Sequence, residues 1–428
     1  VVIGGGAYAI TRVLFPSGGY ATPDDLAASI ETAVETNSLM SLANALPPSE
    51  VSISTAAQQV DEGDGQFNWS KMTSPEALGD YINEIDDGIT SIDSAVDQKS
   101  DSVAIITLRN WRGTMSVRPG IVDVVREHFV EAKGTNLSAF EQDLFERMRE
   151  TFMHDDFYAD MLADFRDRGL RLVAVNEGGR WYVSPLMTMV EQTLGSDRRA
   201  APRYDADFTD VKGASSPEEA VSGMVDALRN GASMSDKDFY RFLDLPERRI
   251  AAVYADADSS SLFAVWNLGM NEFRNNVQID WGLSSTKVSG GAIVSVGTTS
   301  ITAGDYSASF NGDTVTYTVP KSDRGSRSSS KKSQTVRFTE GLVNPERLGI
   351  FTVRDSTGWH VSAARTYGNL TMLKVTDGAL DQAIDGGAGE FLDYYDTDMS
   401  RDEIREIISL RGEAGIIVIA WNFMKNSD

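Results

Sequence analysis

The chain has no cysteine. Disulfides, thiolate zinc sites, iron–sulfur clusters and cysteine nucleophiles are therefore excluded. Cations are scarce beside anions: 39 Lys and Arg against 63 Asp and Glu leave a net charge of −24. That balance argues against nucleic acid as a partner, because such binding needs clustered cations to displace phosphate counterions. The sequence also lacks a G-x-S-x-G elbow, a P-loop and an H-E-x-x-H motif. No internal run reaches the roughly 18 apolar residues of a membrane span. What it does have is 41% apolar residues spread along 428 positions. This is enough for ordinary cores and too much for a disordered chain. The length suggests two or three domains.

The chain opens at Val1 rather than Met, and an upstream segment is expected. The run from Val1 to Phe15 is uncharged through Ile10. Gly4, Gly6 and Ala9 match the dinucleotide pattern G-x-G-x-x-G/A, which would seat an FAD or NAD pyrophosphate on a helix N-terminus. However, Pro16-Ser17-Gly18-Gly19 stops that helix after barely two turns, and no strand ending in an acid follows. A buried strand and turn is another reading. The favoured one places the outer end of a membrane anchor or signal segment, with a juxtamembrane linker, at residues 1–20. No cofactor is expected.

The most informative feature is a duplication. Leu170 to Thr188 matches Leu348 to Thr366 without gaps, with identities Leu170/Leu348, Val175/Val353, Trp181/Trp359, Val183/Val361, Ser184/Ser362 and Thr188/Thr366. Each copy alternates, turns at a Gly-containing cluster and alternates again, which predicts a β-hairpin with a half-buried Trp past the turn. Upstream of each lies a matching helix start, Thr22-Pro23-Asp24-Asp25 and Ser216-Pro217-Glu218-Glu219. A hydroxyl caps, Pro takes the first position and two acids face the positive helix end. Both copies continue to a Leu-Pro pair, Leu46-Pro47 and Leu245-Pro246, read as a turn.

Between these landmarks the copies differ. Copy one is expected to hold a strand at Val103 to Leu108 and helices near Ile121 to Val130 and Leu137 to Arg168. Copy two is expected to hold strands at Val277 to Leu283 and Ala292 to Val296, then a hairpin from Tyr306 to Val319 about Asn311-Gly312. Beyond Thr366 a strand at Leu370 to Val375, helices at Leu380 to Tyr394 and Arg401 to Leu410, and a strand at Ala414 to Phe423 are expected.

The helix start, helical pair and Gly-x-Trp-x-Val-Ser strand resemble NTF2-like α+β domains. In tandem behind an apolar N-terminus, they look like membrane-anchored cell-envelope proteins of actinobacteria, some of which assist mycolate-lipid export and polar growth. The resemblance implies helices over a curved antiparallel sheet that enclose a pocket. The implied domains are 21–200, with a helical insertion, and 214–368. A linker at 201–213 and a C-terminal α/β extension at 369–428 complete the layout. The implied protein is non-enzymatic, tethered to the cell membrane by a single N-terminal pass, with its bulk outside the cytoplasm. It would bind a lipid-like or other apolar ligand or an integral membrane protein. The alternative is an isomerase or hydrolase with a pocket carboxylate, since such pockets can host an Asp base.

Trp181, Tyr182, Trp359 and His360 are the candidate pocket-lining residues. Arg324, Arg327, Lys331 and Lys332, in the one basic low-complexity stretch, are candidates for contact with an anionic surface or acidic partner. The other chemical signals are weak. His128 with His154-Asp155 lacks the further ligands of a metal phosphohydrolase. Asp396 to Asp402 begins like a calcium loop, but Arg401 stands where glycine is required and Ile407 where the bidentate Glu belongs. No metal is expected.

Overall fold

The structure is a computed structural model. It describes residues 18–36, 38, 45–51, 69–72, 75–113, 115–118, 120–134, 136–153, 169–194, 200–209, 211–257, 277–319, 332–376, 378–386, 401–410 and 414–424. The fold is mixed α+β, with curled antiparallel sheet and several helices. The chain divides into two units, Val1–Asp207 and Phe208–Asp428. Among the described residues no helix is long and apolar enough to cross a membrane. The glycine-rich opening with Gly4, Gly6 and Ala9 lies outside them.

The first unit begins with helix α1 (Pro23–Glu35). Thr22 caps it, its hydroxyl accepting from the Asp25 amide at 3.1 Å. Helical spacing puts Leu26, Ala27, Ile30 and Ala33 on one buried face. That face packs on a sheet formed by β2 (Ser91–Gln98), β3 (Val103–Arg112), β5 (Leu170–Glu177) and β6 (Arg180–Val183), in that order. The Ile92 and Ser94 amides of edge strand β2 donate to Glu35 at 3.2 Å and Glu31 at 2.6 Å. Helix α1 thus supplies both apolar cover and acceptors for an edge that would otherwise be open. Helices α2 (Trp69–Met72) and α3 (Pro75–Asn83) and a short pair, β1 (Ile85–Asp87) with β4 (Met115–Val117), precede a helical hairpin. That hairpin is α4 (Gly120–Lys133) and α5 (Ala139–Met153), and α6 (Pro185–Leu194) closes the unit. Ser138 and Glu141 start α5 with a reciprocal capping box, each side chain accepting the other's amide.

The second unit repeats the frame. Helix α7 (Pro217–Arg229) is capped by Ser216, which accepts from the Glu219 amide at 3.1 Å. Short α8 (Lys237–Tyr240) and α9 (Leu245–Tyr254) follow. Strands β8 (Leu283–Val288), β9 (Gly291–Val296), β14 (Ile350–Arg354) and β15 (Trp359–Val361) form the matching antiparallel sheet. Its register is the same: Ala104 pairs Ala174 as Ala292 pairs Thr352, and Ile105 pairs Val173 as Ile293 pairs Phe351. A further five-stranded sheet has the order β13-β12-β11-β10-β7: β7 (Val277–Asp280) precedes β8, and β10 (Ser300–Ala303), β11 (Tyr306–Asn311), β12 (Thr314–Val319) and β13 (Lys332–Arg337) are inserted between β9 and β14. Asn311-Gly312 turns β11 into β12, with Gly312 at φ 62°, where a side chain would be strained. Helices α10 (Ala363–Leu370), α11 (Ala379–Asp385), α12 (Arg401–Leu410) and α13 (Ala414–Met424) finish the unit.

Several expectations need correction. Ala414 to Phe423 is a helix, not a strand. Its run is apolar but for Asn422, which is itself buried, and this hides the helical period because α13 is buried on two sides. Ile417 and Val418 face Leu380 and Ile408 of α11 and α12, while Phe423 stacks on Phe338 beside β13. The expected strand at Leu370 to Val375 is the end of α10 and a turn, joined to Leu342 by one bridge at Val375. The described part of the C-terminal extension is therefore helical. Leu245-Pro246 opens α9, with Pro at the tolerated first turn, instead of forming a turn. Val277 to Leu283 splits at Trp281-Gly282, and its two parts join different sheets. The helices expected through Arg168 and Tyr394 are described only to Met153 and Asp385.

Candidate functional site

Each unit holds its Trp strand by the same bonds. Tyr20 and Trp181 exchange backbone hydrogen bonds at 3.0 and 2.8 Å, as Ala214 and Trp359 do at 2.9 and 2.8 Å. Thr188 accepts from the Val173 amide, and Thr366 from the Phe351 amide, at 2.9 Å in both cases. Glu50 accepts from Ser184 Oγ and the Leu186 amide at 2.5 and 3.1 Å. Glu247 accepts from Ser362 Oγ and the Ala364 amide, both at 3.1 Å. The identities shared by the two hairpins are thus explained mainly by structure. Ser and Thr supply bonds to backbone and carboxylate that an apolar residue would leave unmet.

The second unit also holds a buried polar cluster around His360. Arg248, Arg249 and His360 are 2%, 1% and 0% exposed. Arg248 donates to the Leu243 and Phe208 carbonyls at 3.1 and 3.3 Å and lies 3.1 Å from His360 Nδ1. His360 Nδ1 lies 2.9 Å from the Arg241 carbonyl, which can only accept, so this nitrogen carries the hydrogen. Nε2 meets Thr357 Oγ1 at 2.9 Å and Asp355 Oδ1 at 3.1 Å. Burial first, and then the Arg248 charge, hold the imidazole below its ordinary 6.5. Burial pushes Asp355 up, but bonds from Thr357 and the charge of His360 outweigh it and leave the carboxyl low. Burial also raises Asp244, against the pull of Arg365. It pushes Glu247 up to about 7, helped by the Asp244 charge. Glu247 Oε2 is buried with no hydrogen-bond partner.

Thr357, His360 and Asp355 have the residue types of a nucleophile, base and orienting acid, but not the geometry. A relay needs the acid on one imidazole nitrogen and the nucleophile on the other. Here both contact Nε2, while Nδ1 is occupied by a backbone carbonyl. The fully buried ring serves instead as a structural tie between β15, the turn before it and α9.

The four candidate pocket residues occupy different settings. Trp181 is 4% exposed and belongs to the core with Leu26, Ile30 and Ile106. Tyr182 is buried and donates to the Gly18 carbonyl at 3.2 Å. Trp359 is half-buried, with the Arg354 guanidinium 6.0 Å from its ring centre. His360 lies in the buried cluster. Tyr182 and His360 share one packing role: each ring lies against a glycine, where an added Cβ on Gly19 or Gly213 would come within 2.5 Å of it. Of the basic stretch, Lys332 starts β13 opposite Val319, and Arg324, Arg327 and Lys331 lie outside the described residues. So do His154 and the acidic loop before Arg401. His128 on α4 bonds Asp80 at 2.9 Å, and the described residues contain no cluster fit for a metal.

A cavity of about 730 Å³ lies elsewhere, on the helical hairpin of the first unit. Val122, Val130, Leu137 and Phe145 give it an apolar floor. Asp123 and Arg126 of α4, with Glu146 and Arg149 of α5, supply charge. Arg149 is paired with Asp123. The volume falls within the usual range for small-molecule sites, but the lining is more polar than theirs: Asn136 and Gln142 join the four charged residues beside four apolar ones. The sequence signal was charge at i, i+3 beside apolar positions on both helices. That pattern also suits an ordinary surface helix, and the described residues of the second copy hold no counterpart of this hairpin. No protein-family description, characterised protein or solved structure matches the chain.

Proposed function

We propose that this chain is a non-catalytic, membrane-tethered protein of the cell envelope. It is built from two NTF2-like units in tandem, and it holds a lipid-like ligand in the α4–α5 cleft. The observation that carries the ligand is the cleft, with its apolar floor and charged lining on an insertion that the frame itself does not need. The non-catalytic reading is supported by the arrangement at His360, where acid and hydroxyl meet the same nitrogen in a fully buried ring. The tandem reading is supported by equal strand order, register and latch bonds in the two units. Envelope location and tether rest on the sequence resemblance and the apolar opening run.

Native mass spectrometry of the full chain with added single-chain amphiphiles tests the ligand. One bound molecule per chain is expected, and Leu137→Trp, which fills the cleft, should abolish it while the circular dichroism spectrum stays unchanged. No adduct with any amphiphile, or an adduct that Leu137→Trp leaves intact, would overturn the reading.

A further inference from the structure

The charges lining the cleft specify more than an apolar ligand. Asp123 and Arg149 neutralise one another across the two helices. Arg126 on α4 and Glu146 on α5 remain, both exposed and without an ion pair among the described residues. A singly anionic head would gain Arg126 and meet Glu146, and a cationic head would meet the reverse. A head with both signs complements both. The rest of the molecule points the same way. A net charge of −24 repels anionic amphiphiles at long range, so it argues against an anionic head, while the choice between a zwitterionic and a cationic head falls to Arg126, which repels a cation.

We propose that the cleft selects single-chain amphiphiles with a zwitterionic head, Arg126 taking the anionic group and Glu146 the cationic one. Arg126 can grip a phosphate through two parallel N–H bonds, which Lys would not do. Glu146 offers a carboxylate to an ammonium group. The proposal rests on the ligand-binding reading above and adds the class of head group.

Isothermal titration of the full chain with three probes sharing one alkyl tail, below their micelle concentrations, tests it. The heads are phosphocholine, sulfate and trimethylammonium. Phosphocholine should bind about tenfold tighter than either other head, as expected for one additional charge-assisted contact. Arg126→Gln should weaken phosphocholine and sulfate but not trimethylammonium, and Glu146→Gln should weaken phosphocholine and trimethylammonium but not sulfate. Equal affinity for all three heads, or variants that change none of them, would overturn the head-group assignment and leave the cleft as an apolar site. A preference for sulfate that Glu146→Gln leaves intact would overturn it in favour of an anionic ligand. Failure of all three probes to bind would overturn the assignment and the ligand reading together.

Discussion

Glu247 makes the stability of the second unit depend on pH in an unusual direction. Its carboxyl is pushed from an ordinary 4.5 up to about 7, by burial first and by the neighbouring Asp244 charge second. The folded state therefore holds a proton that the unfolded chain releases. The resulting stabilisation is full below about 4.5 and is lost as pH rises through about 7. A difference of 2.5 pKa units, at about 1.4 kcal/mol each, gives about 3 kcal/mol in all. Between roughly pH 6.5 and 9 about 1 kcal/mol of it should disappear, and this window avoids most of the opposing titration of His360. Because the chain has two units, a global unfolding curve would mix them. Pulsed hydrogen exchange along a urea series, read on peptides covering β15 and α10, isolates the relevant one. The urea midpoint for these peptides should fall from pH 6.5 to 9 in the wild type, and Glu247→Gln should flatten that fall. Gln also places a buried donor where Oε2 has no partner, a pH-independent cost of about 1–3 kcal/mol, so the slope is the readout. A wild-type midpoint that does not fall, or the same fall in the Gln variant, would refute the assignment of a proton to Glu247.

His360 should act on the acid side. Its folded value lies below its ordinary 6.5, so the unfolded chain takes up the proton first and stability is lost as pH falls below about 6.5. In His360→Gln the same peptides should lose that acid-side fall, and its persistence would assign it to another group. Gly213→Ala should lower stability by about 1–3 kcal/mol by driving a methyl into the His360 ring. Gly19→Ala should cost at least as much, since it meets Tyr182 and adds strain at φ 74°. Urea midpoints of peptides within each unit report both, and unchanged midpoints would mean that the rings move aside freely. Thr188→Val and Thr366→Val should each leave a strand amide unpaired and cost about 1–3 kcal/mol, with the effect confined to the unit carrying the change. Equal loss in both units from either variant would show that the two unfold together.

The repeated parts of the fold were legible because each uses a short local code. Thr22 and Ser216, each followed by Pro and two acids, state a helix start within four residues, and both caps form. Asn311-Gly312 states a hairpin within two, and the pairing of Asn311 with Thr314 follows. The C-terminal run was illegible for the opposite reason. Ile417 and Val418 face one group of helices and Phe423 faces a sheet, so no polar face remains to show a period. The two polar sites were hidden in different ways. Arg248 reaches His360 across 112 positions of sequence, and nothing local marks either as buried. The cleft residues lie close in sequence, but their apolar and charged positions also suit an ordinary surface helix.

The positions of the two insertions make a separate argument about how the molecule is organised. Both units keep β2-β3-β5-β6 or its counterpart β8-β9-β14-β15, with the chain leaving after the second strand and returning at the third. One departure carries the helical hairpin with its cleft, and the other carries β10 to β13, which β7, ahead of the frame, completes to a five-stranded sheet. Leaving at the same place costs the frame little. The Trp hairpin, its Ser and Thr latches and the capped helix all lie outside the excursion, and loop closure rises only slowly with loop length. The frame can therefore keep its bonds while the excursion changes. That accounts for Ser184, Thr188, Ser362 and Thr366 agreeing in role while the excursions fold into different elements. The parts free to specialise are therefore the excursions, and not the Trp hairpin that the two copies share.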